Sequence, residues 1–282
     1  MELNDDVVRR IVRASLDEDL GTRGDLTSDS VVAADMLATG RFVARQDLVL
    51  AGLPIAREVF RALDQGLEFE PLQRDGDVVD ADICVALVRG SARSILCGER
   101  TALNFLMRMS GIATAARAAV DEIAGTGARI LDTRKTAPGL RDLDKYAVAA
   151  GGAVNHRRGL YDEVMIKDTH LRATPSITVA VERARARGHA REIITVEVCD
   201  LTQLNEAIAA GAGRVLLDNM DPQSMAEAVR ISGGRVVLEA SGGLSPGNLR
   251  RVAETGVDFM SLGWLTHSAP AADLAMDLET QS

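Results

Sequence analysis

From Arg129 to Trp264 the chain repeats one rhythm, a short β-branched apolar run followed in most cases by a helical pattern. This constrains the fold more than any other feature. The runs are "RILDTRK", "GAVNH", "EVMIKD", "EIITVEVC", "RVLLDN", "RVVLEAS" and "DFMSLGW". Units recurring every ~20–30 residues build parallel strands joined by right-handed crossovers. Helix-start signals fall between them. Ser176 caps a helix ending at Gly188, and Asp200 with Gln203 makes a capping-box pattern. Asp221-Pro222 and Ser245-Pro246 each place a capping residue before proline at the first helical position. Seven candidate strands predict an α/β barrel, closed or incomplete, ahead of an open doubly wound sheet. Periodicity alone does not separate the two.

Side-chain alternation locates a site. Residues two apart on a strand share a face. One set is Leu131 and Thr133, Val164 and Ile166, Val196 and Val198, Val215 and Leu217, Leu238 and Ala240, Met260 and Leu262. It is almost wholly apolar, as a helix-covered face requires. The other is Asp132 and Arg134, Met165 and Lys167, Thr195 and Glu197, Leu216 and Asp218, Glu239 and Ser241, Ser261 and Gly263. It turns polar toward each C-terminal strand end, where βα barrels hold their active sites.

Upstream the pattern differs. Val7, Val8, Ile11, Val12, Leu16 and Leu20 predict an amphipathic opening helix stopping at Gly21. Ala38 to about Leu96 is strand-like and turn-rich, interrupted by the helical "PIAREVFRAL", and reads as a small α+β domain. A long, largely buried helix, "GERTALNFLMRMSGIATAARAAVDEIAG", follows it.

Composition narrows the function classes. Aromatic residues are 3 % and net charge is −9, which excludes stacking platforms for single-stranded nucleic acid and phosphate-backbone binders. Cys84, Cys97 and Cys199 show neither CxxC nor metal-ligand spacing and read as reduced thiols. The N-terminus is acidic, and no apolar run nears the ~20 residues of a membrane span. A cytoplasmic protein is expected.

Against that acidic background, cations gather at the strand ends: Arg134, Lys135, His156, Arg157 and Lys167, with Arg158 adjacent. Arginine forks and lysine ammoniums suit carboxylates and phosphates. Glu197 and Asp218, on neighbouring strand ends, can hold a hard cation through its waters or accept hydrogen bonds from sugar hydroxyls. Ser241-Gly242-Gly243 before a proline-started helix offers backbone N–H groups to a phosphate, and Gly263 permits close backbone approach. Together these fit a phosphorylated sugar with a divalent metal beside a carboxylate-bearing partner. Structural roles stand beside these readings. Asp132 and Glu239 can simply pair with inward cations. His170 and His189 read as surface or hydrogen-bonded residues, and Arg117, Arg183, Arg185 and Arg187 as solvated helix faces.

The stretches "EDLGTRGDLTS", "GERTALNFLMRMSGIAT", "LDTRKTAPGLR", "KYAVAAGGAVNHRRGLYDEVMIKDTH", "VEV", "LLDN", "EASGGL" and "SLGWLTHS" occur in order from about residue 18 to 268. Together they resemble the quinolinate phosphoribosyltransferase family. The resemblance implies an N-terminal α/β sandwich (residues 1–111, with the 265–282 tail returning to it) and an incomplete seven-stranded TIM-like barrel (112–264). It implies formation of nicotinate mononucleotide, pyrophosphate and carbon dioxide from quinolinate and phosphoribosyl pyrophosphate, with Mg2+, in NAD biosynthesis. It also implies a homodimer in which Arg100 serves the neighbouring subunit's site.

By the same resemblance Arg100, Arg134, His156, Arg157 and Lys167 would surround the quinolinate carboxylates, and Lys135 would meet the pyrophosphate side of the sugar. Thr133 would join the substrate-binding set. Glu197 and Asp218 would contact ribose hydroxyls or Mg2+, directly or through water. Ser241, Gly242 and Gly263 would receive the 5′-phosphate. Thr169, Ala153 and Trp264 depart from the family pattern, and Trp264 is the one placed to alter the phosphate site. Two other activities fit parts of the pattern. One is a paralogous pyrophosphorylase acting on another acid, including the molybdenum-transport-associated type. The other is a barrel lyase forming a Schiff base at Lys167.

Overall fold

The computed structural model describes residues 3–280. In chain order the elements are α1 (Asp5–Leu20), α2 (Leu26–Val31), β1 (Leu37–Ala44), β2 (Leu48–Val49), α3 (Leu53–Leu63), β3 (Glu68–Pro71), β4 (Val78–Val79), β5 (Cys84–Ser91) and α4 (Ala92–Glu122). There follow β6 (Arg129–Leu131), α5 (Arg141–Ala150), β7 (Val164–Ile166), α6 (Asp168–Leu171), α7 (Ile177–Ala186), β8 (Ile194–Val198), α8 (Leu201–Ala210) and β9 (Arg214–Asp218). The chain closes with α9 (Pro222–Ser232), β10 (Val237–Ser241), α10 (Leu249–Ala253), β11 (Phe259–Ser261), α11 (Trp264–His267) and β12 (Leu274–Thr280). No helix of the described residues is long and apolar enough to cross a membrane.

Two compact units emerge. One comprises the chain up to Arg117, residues 136–152 and the stretch from Leu265 onward; the other comprises 118–135 and 153–264. The first is built on an antiparallel sheet ordered β12-β1-β5-β3, in which Phe42 stands opposite both Met276 and Ala86. With few aromatics available, three are pooled: the rings of Phe42, Phe60 and Phe69 lie 5.8–6.2 Å apart. Val8, Ile11, Val12 and Leu16 form the buried stripe of α1, whose N-terminus is capped by the Asn4 side chain and which ends at Gly21.

The long helix starts earlier than expected, at Ala92, because Ala92 and Ile95 bury at i, i+3 spacing where "SARSIL" also reads as a strand. Gly151, after α5, is required sterically: a Cβ there would lie 2.3 Å from the Ala113 carbonyl oxygen. Arg117 departs from the solvated role expected of it, since its Nε donates to the Gly151 carbonyl at 3.1 Å.

The second unit is a six-stranded parallel sheet ordered β6-β11-β10-β9-β8-β7. The expected strand "GAVNH" shrinks to one parallel bridge, Leu131 to Val154. Its ladder stops because the next residues bind a carboxylate instead: Asn155 Nδ2 and the His156 N–H donate to the buried Asp132 at 2.7 and 2.8 Å. No ladder among the described residues joins the Val154 segment to β7, so the barrel is incomplete.

Several strands are shorter than their sequence runs, and at two of them this moves a cation of the site. β6 stops at Leu131 and β7 at Ile166, which puts Arg134 and Lys167 on the loops beyond the strands rather than on the inward face itself. The caps at Ser176, Asp200 and Asp221 form, each accepting an N–H from the residue three further on. Gln203 completes a different box, accepting from the Cys199 N–H. Ser245-Pro246 does not start a helix. It opens a turn, and α10 begins at Leu249.

Candidate active site

The C-terminal strand ends of the second unit surround a cavity of about 370 Å³. Thr133, Arg134, Lys135, His156, Arg157, Lys167, Glu197, Asp218 and Ser241 all line it. Met165, Leu216, Glu239 and Ser261, from the inward set of the strands, complete the wall. Three residues of the expected site are not on that wall. Arg100 is exposed on α4 in the first unit, Gly242 follows Ser241, and Gly263 lies two residues beyond β11.

The β6–α5 loop presents its two cations through a local turn in which the Lys135 N–H donates to Thr133 Oγ1 at 3.0 Å. Below it Asp132, fully buried, holds the Asn155–His156 segment in place. His156 Nδ1 accepts the Arg157 N–H at 2.7 Å, so in the neutral ring the proton sits on Nε2. That nitrogen lies 3.2 Å from Glu239 Oε1, and Glu239 Oε2 lies 3.4 Å from Arg214 Nη1. Burial opposes ionisation of Glu239, yet His156, Ser261 and Arg214 together hold its carboxyl below the ordinary carboxylate value. Glu239 is therefore a structural anion under the cavity, paired with a cation as one reading of its sequence position requires.

Arg157 donates to the Glu163 carbonyl at 3.1 Å. Burial, and then repulsion from Arg134, push its guanidinium below the ordinary arginine value. It stays charged at any accessible pH, and the push reflects burial first and like-charge crowding with Arg134 second. A bound anion relieves that crowding. On the opposite wall Lys167 Nζ donates to Glu197 Oε2 at 2.7 Å. Lys167 is steadied from behind, because its N–H donates to the Nδ1 of the exposed His170 at 2.9 Å.

Asp218 ends β9 and accepts from Asn219 Nδ2 at 3.0 Å. Asn219 has a left-handed backbone (φ 53°), and its own N–H donates to the Ser241 carbonyl at 2.8 Å. Its side chain lies directly under Gly242, where a Cβ would meet Asn219 Oδ1 at 2.2 Å. Asn219 thus ties the acidic end of the site to the glycine turn, a role that periodicity missed although an αL asparagine after a strand is a recognisable signal.

The glycine turn differs from the expected phosphate cradle in one respect. The N–H groups of Gly247, Leu249 and Arg250 all donate to the carboxylate of Glu122, from the end of α4, at 2.9–3.4 Å. The helix start already has its anion. Trp264 braces the same loop, its Nε1–H donating to the Leu244 carbonyl at 3.1 Å.

Among the described residues no group of three or more His, Cys, Asp or Glu side chains is arranged to hold a metal ion. Two carboxylates, Glu197 and Asp218, face one cavity. That donor set fits Mg2+, which keeps several waters and takes one or two protein carboxylates plus substrate phosphates.

A family model of the quinolinate phosphoribosyl transferase C-terminal domain matches residues 112–277, and one of the N-terminal domain matches 25–110. The chain is 43 % identical over 262 residues to a probable nicotinate-nucleotide pyrophosphorylase [carboxylating] of Bacillus subtilis, covering 93 % of this chain and 90 % of that one. Among solved structures, the nicotinate-nucleotide pyrophosphorylase of Francisella tularensis superposes with a TM-score of 0.91 at 39 % identity, over 99 % of this chain and 98 % of that one. The corresponding protein of Ehrlichia chaffeensis gives 0.93 at 37 % identity, over 99 % and 100 %.

Proposed function

This chain belongs to the quinolinate phosphoribosyl transferase family, and from that premise we propose that it joins quinolinate to phosphoribosyl pyrophosphate. The products are nicotinate mononucleotide, pyrophosphate and carbon dioxide, in NAD synthesis. One observation carries the reading: Arg134, Lys135, Arg157 and Lys167 share a single small cavity with Glu197 and Asp218. Cations for a dicarboxylate and acids for a sugar or its metal meet there at the C-terminal strand ends.

Arg134, Arg157 and Lys167 bind and orient the two quinolinate carboxylates, with His156 fixing the backbone that carries Arg157. Asp218, held by Asn219, and Glu197 receive ribose hydroxyls. Lys135 neutralises the pyrophosphate, and Ser241, Gly242 and Gly263 take the 5′-phosphate. Glu197 and Asp218 would hold Mg2+, which when bound would supply neutralisation of the charge on the departing pyrophosphate. The pyridine nitrogen bonds to ribose C1 as the C1–oxygen bond to pyrophosphate breaks. The 2-carboxylate then leaves as carbon dioxide, its bond electrons remaining on the ring carbon beside the pyridinium, and a solvent proton replaces it. No general base is needed; the protein's contribution is orientation and fixed charge.

A homodimer belongs to the same proposal, with Arg100 completing the neighbouring site. It is supported by the loop after Arg157, where Leu160 and Tyr161 present large apolar side chains to solvent, 75 % and 83 % exposed. Formation of nicotinate mononucleotide that requires both quinolinate and Mg2+ tests the proposal. Preference for nicotinate over quinolinate would overturn it in favour of a paralogous activity. The Schiff-base reading has less support, because Lys167 Nζ would first have to leave its 2.7 Å ion pair with Glu197.

A further inference from the structure

We propose that Glu122 is a positioning residue for the phosphate-binding end of the site. This rests on reading Ser241 and Gly242 as the receivers of the 5′-phosphate. The loop from Gly242 to Asn248 contains three glycines with positive φ (Gly242 86°, Gly243 64°, Gly247 87°), so its own backbone chemistry specifies little. Its conformation is set by what holds it.

Two of the holds are local. Asn248 Nδ2 donates to the Gly243 carbonyl at 2.9 Å, and Asn248 Oδ1 accepts the Ser245 N–H at 3.1 Å. The other two come from elsewhere in the unit. Trp264 Nε1–H grips the Leu244 carbonyl. Glu122 gathers the N–H groups of Gly247, Leu249 and Arg250 on one carboxylate. The joint is reciprocal, since Arg250 Nη1 donates to the Ala124 carbonyl at 2.8 Å just past the end of α4. A cation on those last carbonyls and an anion on the first amides of α10 each complement the helix end they meet.

The consequence is a division of labour. Glu122 occupies the amides that would otherwise attract the phosphate, and by doing so pins the far side of the glycine turn, leaving the phosphate to Ser241 and Gly242. Loss of the carboxylate frees three N–H groups and lets the turn adopt other conformations. Affinity for the sugar phosphate should suffer, and affinity for the aromatic acid at the other end of the cavity should not.

The test uses the full-length protein with E122A and E122Q. For E122A the expected result is a KM for phosphoribosyl pyrophosphate, and a Kd for ribose 5-phosphate as a simpler probe, each raised about tenfold. The KM for quinolinate should stay within about twofold, and E122Q, which keeps one acceptor oxygen, should fall between E122A and wild type. Amide exchange at Gly247, Leu249 and Arg250 should be faster in E122A and partly restored in E122Q. Unchanged KM for phosphoribosyl pyrophosphate, or equal increases for both substrates, would overturn the proposal even if the melting temperature falls. Wild-type protein making no nicotinate mononucleotide would instead sink the proposed function, while exchange and ribose 5-phosphate binding would still report whether Glu122 sets the loop.

Discussion

Replacing Gly242 by alanine separates backbone strain from steric conflict at the heart of the site. At φ 86° any L-residue is disfavoured, by about 1–2 kcal/mol. A Cβ would also stand 2.2 Å from Asn219 Oδ1, 2.5 Å from its Cγ and 2.8 Å from its Nδ2. Asn219 must move, and its hydrogen bond to Asp218 is lost, a further ~1–2 kcal/mol for a bond to a charged acceptor. The sum, roughly 3 kcal/mol, corresponds to about 5 °C in melting temperature for a chain of this size. Gly243 is the internal control. It too has positive φ (64°), but a Cβ there meets nothing within 4 Å, so G243A should show the backbone cost alone, about 2–3 °C. Only G242A should release Asp218 and raise the KM for phosphoribosyl pyrophosphate by more than about tenfold. Thermal melts and initial rates of both variants check this. Equal melting temperatures and equal KM values would refute the claim that Asn219 couples the glycine turn to the acidic residue.

R134A should lower kcat/KM for quinolinate by about 10–100-fold, the cost of losing a charged partner for a carboxylate, and initial-rate kinetics retaining wild-type values would remove Arg134 from the acid pocket. Mixing R100A with R134A should restore the mixture to about a quarter of wild-type activity, since random exchange makes half the dimers hybrid with one intact site of two each. No recovery after subunit exchange would place Arg100 outside the neighbouring site. E239Q should cost roughly 3 kcal/mol at neutral pH by leaving Arg214 without its buried anion. Because the folded carboxyl lies below its ordinary 4.5, the wild-type contribution is present above that value and fades as pH falls through the depressed one. Urea titrations should therefore show the E239Q and wild-type curves converging in acid; a constant gap would contradict the assignment.

Much of this site is carried by local pattern. Met165, Glu197, Leu216, Asp218, Glu239 and Ser241 all reach the cavity wall through strand alternation, which depends only on the two-residue repeat of an extended chain. The cap at Asp221 and the end of α1 at Gly21 follow from equally local chemistry. Partners distant in sequence are a different matter. That Glu122 caps residues 125 and more positions away, that Asn219 lies under Gly242, and that Asp132 cuts short the expected strand at Val154 by binding Asn155 and His156 are decided where segments meet in space. Ser245-Pro246 shows the limit: a good local start signal yields to a carboxylate arriving from α4. The sequence by itself therefore determined which residues face the cavity and what class of chemistry they serve. The tertiary structure decided which of those charges are already paired, and with whom, because a hydrogen bond is specified by the position of both partners and a chain pattern describes only one.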